Sequence, residues 1–470
     1  MSTTLKDIFC NKSVSLIGAG VSNTPLAEKI SGFCSKLTVR DRKSAEELGD
    51  LADVFRKAGA ELITGSGYLE GLDEDLILRS PGIRPDIPEF VRAGMTGSVI
   101  TSEIELFLSV HPCRVFAVTG SDGKTTTTTI TSKLLSPAGN VLLGGNIGSP
   151  LLYRLDDVCR NDVLAVELSS FQLMTMDAYF EAAAITNITP NHLNWHTGME
   201  EYISAKRRIL NHSKNSVLNF DNPETRKIAE EIRSCGRPVI LFSLSPIPDS
   251  ALSDGDGRIW FDGESVRTEF SGESETVVLS RRDIKLPGLH NIANYMTAIA
   301  LTHGFSDEST IRETAENFGG VEHRLEFVRE LDGVTYINGS IDSSPTRTAA
   351  ALSALSDRPV VLIAGGYDKN IPYEPLADAV FSSTVKKLIL VGATAGKIRK
   401  AVEEHPMYMK KADGGFSITV RDSLENAVAA AKDQSVPGDT VILSPASASF
   451  DMFRNFEERG KRFKDIVNSL

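Results

Sequence analysis

A glycine-rich loop that ends in lysine and threonine is the strongest chemical signal in this sequence. Residues 120–126 read GSDGKTT, and they follow the apolar run RVFAVT at residues 114–119. Glycines let backbone N–H groups approach phosphate oxygens, a lysine brings a cation to the outer phosphates, and a threonine hydroxyl can hold Mg²⁺. A glycine-rich turn with a surface lysine is the alternative. The joint pattern predicts a nucleotide-binding loop made of Gly120, Ser121, Asp122, Gly123, Lys124, Thr125 and Thr126.

Polar residues follow two further strand-like runs in the same region. Glu167 comes directly after the run VLAV, and His192 lies shortly after the run AAI. A carboxylate at a strand end beside a phosphate loop can bind Mg²⁺ through oxygen, so Glu167 is a candidate metal ligand. His192 is a second candidate because it lies at another strand end beside the same loop. Taken alone, each would be an ordinary solvated or structural residue. The same holds for Lys206, which lies in an amphipathic helix predicted over residues 200–210.

A partial dinucleotide-binding fingerprint lies near the N-terminus. Gly18 and Gly20 follow the strand-like run VSLI, but Asn23 occupies the position of the third glycine. Asp41 falls roughly 20 residues further on, where an acid meets a ribose in such folds. A plain strand-to-helix turn explains this pattern equally well, and a nucleotide other than a nicotinamide fits the crevice better.

Strand-like and helix-like runs alternate along the chain, which predicts an α/β fold with parallel sheets and ligands at the strand carboxyl ends. Three blocks of this alternation predict three domains, at residues 1–102, 103–320 and 321–470. The predicted strands are 14–17, 37–40 and 75–78 in the first block, 114–119, 141–143, 163–166 and 183–185 in the second, and 335–337, 360–363, 387–390 and 441–443 in the third.

The composition is that of a globular protein. The chain has 470 residues, a formal net charge of −12 and 41% hydrophobic residues. The negative net charge argues against nucleic acid as a partner, and no apolar run is long enough to span a bilayer. The five cysteines are scattered without a C-x-x-C pair, and the N-terminus has no signal-peptide core. We therefore expect a cytoplasmic protein with reduced thiols and no stable membrane association.

Motifs spread over the whole chain jointly resemble those of the Mur ligases. Val118 stands where the common G-x-x-x-x-G-K-[ST] loop has its first glycine, which points away from the common GTPases and ATPases. The resemblance implies an N-terminal Rossmann-like UDP-sugar-binding domain, a central P-loop-type ATPase domain and a C-terminal Rossmann-like amino-acid-binding domain. The motifs are the phosphate loop, GGNIG (144–148), ELSSFQ (167–172), NITPNHLN (187–194), LPGLHNIAN (286–294), EHRLE (322–326) and SPASASFDMFRNFEERG (444–460).

The resemblance implies an ATP-dependent amide-bond-forming ligase of cytoplasmic peptidoglycan precursor synthesis. Such an enzyme would join D-glutamate to UDP-N-acetylmuramoyl-L-alanine through an acyl phosphate, using ATP, Mg²⁺ and a carbamylated Lys206. Its partners would be these small molecules, and we expect a monomer.

Two alternatives stay open. One is a sister amide ligase with a different acceptor, such as a folylpolyglutamate synthetase, and the other is a catalytically inactive nucleotide-binding module. The UDP-type N-terminal domain argues against the folate enzyme, and the lack of a DNPR motif in the last domain argues against the ligase that adds a diamino acid. The intact Lys124, Glu167, His192 and Lys206 argue against an inactive module.

The resemblance also assigns residues to each ligand. Catalytic roles fall on Lys124, Glu167, His192 and Lys206, and the metal ligands would be Thr125, Glu167, His192 and Lys206. ATP would be bound by the phosphate loop together with Asn291, Asn294 and Arg324. The UDP-sugar would be bound by Val21, Ser22, Asp41, Arg42, Gly82, Asn146 and His192. D-Glutamate would be bound by Ser343, Lys369, Ser449, Phe450 and Phe456.

Three positions depart from the family pattern. Gly339 stands where the family usually has an aspartate beside the ATP, Asn194 stands where aspartate is frequent, and Ser447 replaces a common small cysteine. An acid reappears at Asp342. This residue would either reach the nucleotide in place of the missing carboxylate or, as we expect, face solvent near the start of a helix.

Overall fold

The computed structural model describes residues 3–20, 22–193, 195–286, 288–355, 358–369 and 371–470. The chain forms two compact units, Met1–Asn317 and Phe318–Leu470, which we call unit 1 and unit 2. Unit 1 contains two β-sheets and unit 2 contains one. The predicted α/β fold with three sheets is confirmed, whereas the three domain ranges stay a prediction.

The first sheet of unit 1 is parallel. Its strands are β1 (Ser13–Ile17), β2 (Lys36–Asp41), β3 (Glu61–Thr64), β4 (Leu76–Arg79) and β5 (Val99–Thr101), and its helices are α1 (Leu5–Phe9), α2 (Asn23–Ile30), α3 (Ala45–Leu48), α4 (Asp50–Lys57), α5 (Pro88–Met95) and α6 (Glu103–Val110). The strand order is β3-β2-β1-β4-β5, with every pair parallel. Since the order reverses between β1 and β4, a ligand crevice is expected at their carboxyl ends.

The central sheet of unit 1 has parallel strands and an antiparallel extension. Its strands are β6 (Arg114–Thr119), β7 (Val141–Gly145), β8 (Val163–Glu167), β9 (Phe180–Ile185), β10 (Ser213–Asn219), β11 (Ile240–Ser243), β12 (Gly257–Phe261), β13 (Ser265–Glu269) and β14 (Thr276–Ser280). The order is β14-β13-β12-β11-β10-β9-β6-β8-β7, and β13 runs antiparallel to both of its neighbours. Because β6 lies between β8 and β9, the loop after β6 is flanked by the ends of both strands.

Six helices accompany the central sheet, and α11 lies in its core. They are α7 (Lys124–Leu134), α8 (Ser170–Leu173), α9 (Met199–Arg207), α10 (Pro223–Ser234), α11 (Leu289–Leu301) and α12 (Glu308–Asn317). Every residue of α11 from Asn294 to Leu301 is buried, as expected for a helix that is apolar on nearly all faces. Within the described ranges, no helix is both long and apolar enough to cross a bilayer.

Unit 2 is built on the third sheet. Its strands are β15 (Glu326–Leu331), β16 (Val334–Asn338), β17 (Val360–Ala364), β18 (Val385–Leu390), β19 (Ser417–Val420) and β20 (Thr440–Leu443), and its helices are α13 (Pro345–Ala354), α14 (Glu374–Ser382), α15 (Ala395–Glu403), α16 (Tyr408–Asp413), α17 (Leu424–Asp433) and α18 (Phe456–Ser469). The order is β15-β16-β20-β17-β18-β19, and β15 is antiparallel to β16. The loops after β16, β17 and β20 therefore meet at one sheet edge.

Candidate active site

The phosphate loop leaves strand β6 and ends where helix α7 begins, at Lys124. Its glycines have positive φ, 151° at Gly120 and 78° at Gly123. A Cβ at Gly120 would lie 1.8 Å from Thr186 Oγ1, and one at Gly123 would lie 2.4 Å from Asn294 Oδ1. A larger residue is therefore excluded at both positions, and the loop is held closely against its neighbours. A helix start of this kind presents backbone N–H groups to an anion.

Lys124 folds back over the loop. Its Nζ donates to the carbonyl oxygens of Gly120 at 3.0 Å and Ser121 at 2.8 Å. These contacts hold the ammonium group at the loop, where a cation is needed to offset the charge of phosphate oxygens. The Ser121 hydroxyl donates to the Thr189 carbonyl at 2.9 Å, which ties the loop to the segment that leads to His192.

Two candidate metal ligands lie in direct contact. Thr125 Oγ1 donates to Glu167 Oε2 at 2.8 Å, and Asn146 Nδ2 donates to Glu167 Oε1 at 2.9 Å. Glu167, at the end of β8, is buried, and the hydrogen bond from Asn146 fixes the orientation of its carboxylate. A hydroxyl and a carboxylate oxygen side by side are the donors that Mg²⁺ prefers, so these residues fit the expected ion. In the described ranges, no group of three or more His, Cys, Asp and Glu side chains is arranged as a metal cluster.

Lys206 is buried beside the same loop. Only 2% of the residue is exposed, its Nζ donates to the Gly120 carbonyl at 2.6 Å, and Nζ lies 4.7 Å from the centre of the Tyr202 ring. Burial, assisted by the positive charge of Lys124, lowers the pKa of Lys206 to about 6. Burial at this position therefore favours the neutral amine. Its surroundings are not those of a surface lysine.

His192 lies at the edge of this cluster. Its backbone is left-handed, with φ 55°, and its ring lies 5.1 Å from the Phe171 ring. Burial, together with Lys124 and Lys206, lowers the pKa of His192. A neutral imidazole can coordinate a metal ion, so the residue fits the role predicted for it.

The asparagines predicted to contact ATP lie at the first turns of α11. Asn294 Oδ1 accepts from Thr127 Oγ1 at 3.1 Å, and Asn294 Nδ2 donates to Asn291 Oδ1 at 3.1 Å. On the other side of the loop, the Asp122 N–H donates to Asn187 Oδ1 at 3.0 Å. The structure therefore brings Asn291 and Asn294 to the phosphate loop, although their spacing from it in sequence gives no such indication.

A cavity of about 380 Å³ lies at the crevice between β1 and β4. Ser22 and Asp41 line it, as the UDP-sugar prediction expects. Asp41 is held in place because its Oδ2 accepts from the Ala19 N–H at 2.7 Å. Arg42, Gly82 and Asn146 are not among the described residues that line this cavity. Val21 lies outside the described residues, as does Asn194.

Sequence reasoning missed three charged residues of this cavity, Lys43, Arg79 and Glu103. Arg79 ends the buried strand β4, and its guanidinium donates to Thr175 Oγ1 at 3.0 Å. Glu103 Oε1 accepts from the N–H groups of Leu151 at 2.6 Å and Leu152 at 2.5 Å, and burial raises the pKa of Glu103. An arginine at the end of the apolar run LILR is a signal that could have indicated Arg79.

In unit 2, the predicted D-glutamate residues are only partly brought together. Lys369 Nζ lies 3.5 Å from the Ser343 carbonyl oxygen, and burial with nearby Arg347 and Arg459 lowers the pKa of Lys369. Ser449 is buried, whereas Phe450 is 63% exposed and packs edge-on against Tyr367. Two further predicted residues also lie in this unit: Phe456 at the start of α18 and the exposed Arg324 before β15.

The expectation that Asp342 faces solvent is wrong. Only 8% of the residue is exposed, and its Oδ2 accepts from Ser444 Oγ at 2.8 Å. Burial raises the pKa of the Asp342 carboxyl to about 6. A Cβ at Gly339 would lie 2.7 Å from this oxygen and 2.9 Å from the Leu443 carbonyl oxygen. Gly339 therefore leaves room for the Asp342 carboxyl. This carboxyl lies in the interior of the unit, enclosed by the loops after β16 and β20.

Comparisons with known proteins identify the family of this chain. Residues 118–302 match the Mur ligase middle domain, and residues 323–447 match the Mur ligase, glutamate ligase domain. The chain is 45% identical over 465 residues to the UDP-N-acetylmuramoylalanine–D-glutamate ligase of Ruminiclostridium cellulolyticum, covering 98% of this chain and 97% of that protein. It is 43% identical to the enzyme of the same name from Acetivibrio thermocellus, with both chains covered in full.

Solved structures show the same fold at low identity. A UDP-N-acetylmuramate-alanine ligase from Thermotoga maritima aligns with a TM-score of 0.53 and 18% identity, covering 98% of this chain and 100% of that one. A UDP-N-acetylmuramoyl-L-alanyl-D-glutamate–2,6-diaminopimelate ligase aligns with a TM-score of 0.52 and 16% identity, covering 99% of this chain and 94% of that one. On the domain matches and the relatives that share more than two fifths of its residues, the chain belongs to the Mur ligase family.

Proposed function

We propose that this protein is an ATP-dependent ligase that joins D-glutamate to UDP-N-acetylmuramoyl-L-alanine in peptidoglycan precursor synthesis. Relatives of nearly equal length, at 42–45% identity, carry the name of this activity. The observation that carries the proposal is the cluster of Lys124, Thr125, Glu167 and Lys206 around the phosphate loop. A catalytically inactive nucleotide-binding module would have no need to keep a lysine buried there.

The first chemical step is repulsive, because a carboxylate must approach the γ-phosphate of ATP. Lys124 and the N–H groups at the start of α7 offset the negative charge on the phosphate oxygens. Asn146 keeps Glu167 turned towards Thr125, so that both oxygens face the same point. Mg²⁺, when bound by these oxygens, supplies further charge neutralisation. Phosphoryl transfer then gives an acyl phosphate, which the amine of D-glutamate attacks with loss of phosphate.

We assign Lys206 as the site of a carbamate. A neutral lysine amine can attack CO₂, which forms an N–C bond, releases one proton and leaves an anionic carboxylate on nitrogen. The lowered pKa of Lys206 favours the neutral amine, and the product no longer places a second cation beside Lys124. The carbamate would add oxygen donors beside Glu167 and His192.

The remaining assignments follow the cavities and contacts of each unit. Ser22 and Asp41 would contact the UDP-sugar in the 380 Å³ cavity of unit 1. Lys369 and Ser343 would hold the D-glutamate carboxylates in unit 2, and Ser449, Phe450 and Phe456 would supply further contacts. The partners are then small molecules, the protein acts as a monomer, and its place is the cytoplasm, where ATP and UDP-linked precursors are available.

Substrate-dependent ATP hydrolysis tests this function. The protein with Mg²⁺ and ATP should release ADP and phosphate only when UDP-N-acetylmuramoyl-L-alanine and D-glutamate are both present, and mass spectrometry should show the amide product. Turnover with another amino acid but not D-glutamate would favour the sister ligase. A protein that binds ATP without turnover under any of these conditions would be the inactive module.

A further inference from the structure

Arg84 makes a two-point contact between distant parts of unit 1. It lies in the loop after β4, and Glu201 lies in the first turn of α9. The guanidinium donates from Nη2 to Glu201 Oε1 at 2.9 Å and from Nη1 to Glu201 Oε2 at 3.0 Å. This pair holds the pKa of the Glu201 carboxyl well below its usual range. A bidentate arginine–carboxylate pair fixes relative orientation as well as distance, which a lysine cannot do.

Trp195 adds further contacts to the loop that carries Arg84, both as an acceptor and as a donor. The guanidinium of Arg84 lies 5.1 Å from the Trp195 ring centre, and Arg84 Nη1 donates to the Trp195 carbonyl at 2.9 Å. In return, Trp195 Nε1 donates to the Gly82 carbonyl at 2.9 Å. We call Arg84, Trp195 and Glu201 the Arg84 clamp.

The clamp continues by ring contacts and hydrogen bonds to the candidate active site. The Phe171 ring lies 4.2 Å from Trp195 and 5.1 Å from His192. His196 bridges Glu201 and Ser170, with Nδ1 2.9 Å from Glu201 Oε2 and Nε2 2.9 Å from Ser170 Oγ. Since Ser170 and Phe171 begin helix α8, just after Glu167, the clamp also contacts the element that follows the metal-binding strand.

The loop that carries Arg84 also borders the UDP-sugar cavity. Ser80 and Pro81, a few residues before Arg84, line it. Helix α9, which carries Glu201, also carries Lys206. The Arg84 clamp therefore joins the rim of the sugar-nucleotide cavity to the segment that holds His192 and Lys206.

We propose that Arg84, through Glu201 and Trp195, is a positioning residue that fixes where the bound UDP-sugar presents its carboxylate to the phosphate loop. The inference rests on the proposed ligase function. Phosphoryl transfer requires the reacting atoms in line, and a displacement of about 1 Å can lower a rate by roughly 10²-fold. Releasing the clamp would let the cavity rim shift relative to the phosphate loop while each separate pocket stays intact.

The chain contains a matched control on the far side of the central sheet. Arg258 donates to Glu269 at 2.8 Å, pairs with Asp249 at 2.7 Å and lies 5.0 Å from the Trp260 ring centre. This cluster has the same chemistry as the Arg84 clamp but joins β12 to β13, away from the predicted ligand residues. Losing it should affect stability and not the reaction.

The test compares Arg84→Ala, Arg84→Lys, Glu201→Gln and Arg258→Ala by steady-state kinetics for all three substrates and by thermal melting. Arg84→Ala should lower kcat by roughly 10²-fold. Its KM for ATP should stay within about twofold, because the phosphate loop is untouched. Arg84→Lys should recover only part of kcat, and Arg258→Ala should melt earlier at full kcat. Glu201→Gln keeps the shape of the side chain but removes its charge. If Arg84→Ala does not fold, the same fall in kcat is expected from Glu201→Gln.

Trp195 supplies a readout that does not need turnover. The sequence has two tryptophans, so Trp260→Phe leaves Trp195 as the single emitter. Adding UDP-N-acetylmuramoyl-L-alanine should shift its emission, and Arg84→Ala should abolish that shift. The inference would be overturned if Arg84→Ala and Glu201→Gln both kept a kcat as high as that of Arg258→Ala. It would also be overturned if Arg84→Ala showed the same emission shift as the protein that retains Arg84. A wild-type protein that does not ligate D-glutamate would overturn the proposed function instead, and the emission would still decide whether the clamp couples the two regions.

Discussion

Each unit buries a long basic side chain at its candidate site, Lys206 in unit 1 and Arg459 in unit 2, and the two are held very differently. Lys206 donates to the Gly120 carbonyl at 2.6 Å and only distantly, at 3.4 Å, to Thr119 Oγ1. Arg459 donates to the hydroxyl and carbonyl of Ser340 and to the carbonyls of Ser447 and Ala448, all at 2.8–3.1 Å.

Burial lowers the pKa of both cations, and the charges next to them differ: Lys124 lowers the pKa of Lys206 further, whereas Asp451 and Asp342 oppose the shift at Arg459. Burial lowers the pKa of Lys206 to about 6, but that of Arg459 only to about 10. At pH 7 the arginine therefore stays charged and joins the loops after β16 and β20. The lysine is held where its neutral amine is favoured. Arg459 is thus a structural element whose donors are satisfied, whereas burial beside Lys124 favours the neutral amine of Lys206.

The largest effect expected from this comparison is on turnover. Lys206→Ala should lower it by about 10²–10³-fold, the usual loss for one charge-stabilising group. Added formate should restore part of the activity by supplying the oxygens of the missing carbamate. Arg207→Ala is the matched control, since that neighbour is exposed and paired with Glu231 at 2.9 Å. Full turnover in Lys206→Ala would leave the buried lysine without a chemical role.

A second test compares the stabilities of Lys206→Met and Arg459→Met. Removing the poorly satisfied lysine should raise the free energy of unfolding by about 1–3 kcal/mol at pH 7. Removing the arginine should lower it by about 1–3 kcal/mol for each buried acceptor left unpaired. Urea unfolding in bicarbonate-free buffer with EDTA measures both. If both variants changed the free energy of unfolding in the same direction, the proposed difference between Lys206 and Arg459 would be wrong.

The sequence indicated the phosphate-loop region far better than the loops of unit 2. Gly120, Lys124, Thr125 and Glu167 lie at strand ends or a helix start, so local sequence already determines their placement. The central sheet then needs only its strand order to bring them together. The prediction of the α/β fold succeeded for the same reason.

The residues that sequence reasoning misplaced or missed depend on contacts between distant segments. Arg459 meets Ser340 across 119 positions, and Arg84 meets Glu201 across 117. Asp342 is buried because Ser444 lies against it, 102 positions away. No local pattern encodes such pairs. A charged residue inside or next to an apolar run, as at Arg79, is the sequence feature that could have indicated a buried charged residue.

A third test follows the pH dependence of stability. Between pH 10.5 and about 6, the unfolded chain holds a proton on Lys206 that the folded chain lacks. Lys206 therefore destabilises the folded chain in this window: the penalty is absent above pH 10.5, grows as the pH falls and is complete below about pH 6, so the free energy of unfolding rises with pH between these values. Lys206→Met should show a flatter profile from pH 6 to 9. Parallel profiles would mean that the amine stays protonated in the folded protein.

The smallest expected effect concerns Gly339 and Asp342, which share one space in unit 2. Gly339→Ala should lower the free energy of unfolding by about 1–3 kcal/mol, because its Cβ would overlap the Asp342 carboxyl and the Leu443 carbonyl. A substitution at Asp342 removes the first of these two overlaps, whereas the overlap with the backbone carbonyl of Leu443 stays. In an Asp342→Ala background the same substitution should therefore destabilise less, with a coupling of about 0.5–3 kcal/mol.

The matched control for this cycle is Gly396→Ala, in helix α15 of the same unit, where an added Cβ meets nothing within 4 Å. It should be neutral or stabilising by about 0.5–1 kcal/mol, and Asp342→Ala should not change its effect. Additive effects of Gly339→Ala and Asp342→Ala would show that the carboxyl moves aside freely. The glycine would then be unrelated to the inward position of Asp342. Strong coupling would instead show that Gly339 makes room for Asp342, because the carboxyl at 342 occupies the space that a side chain at 339 would need.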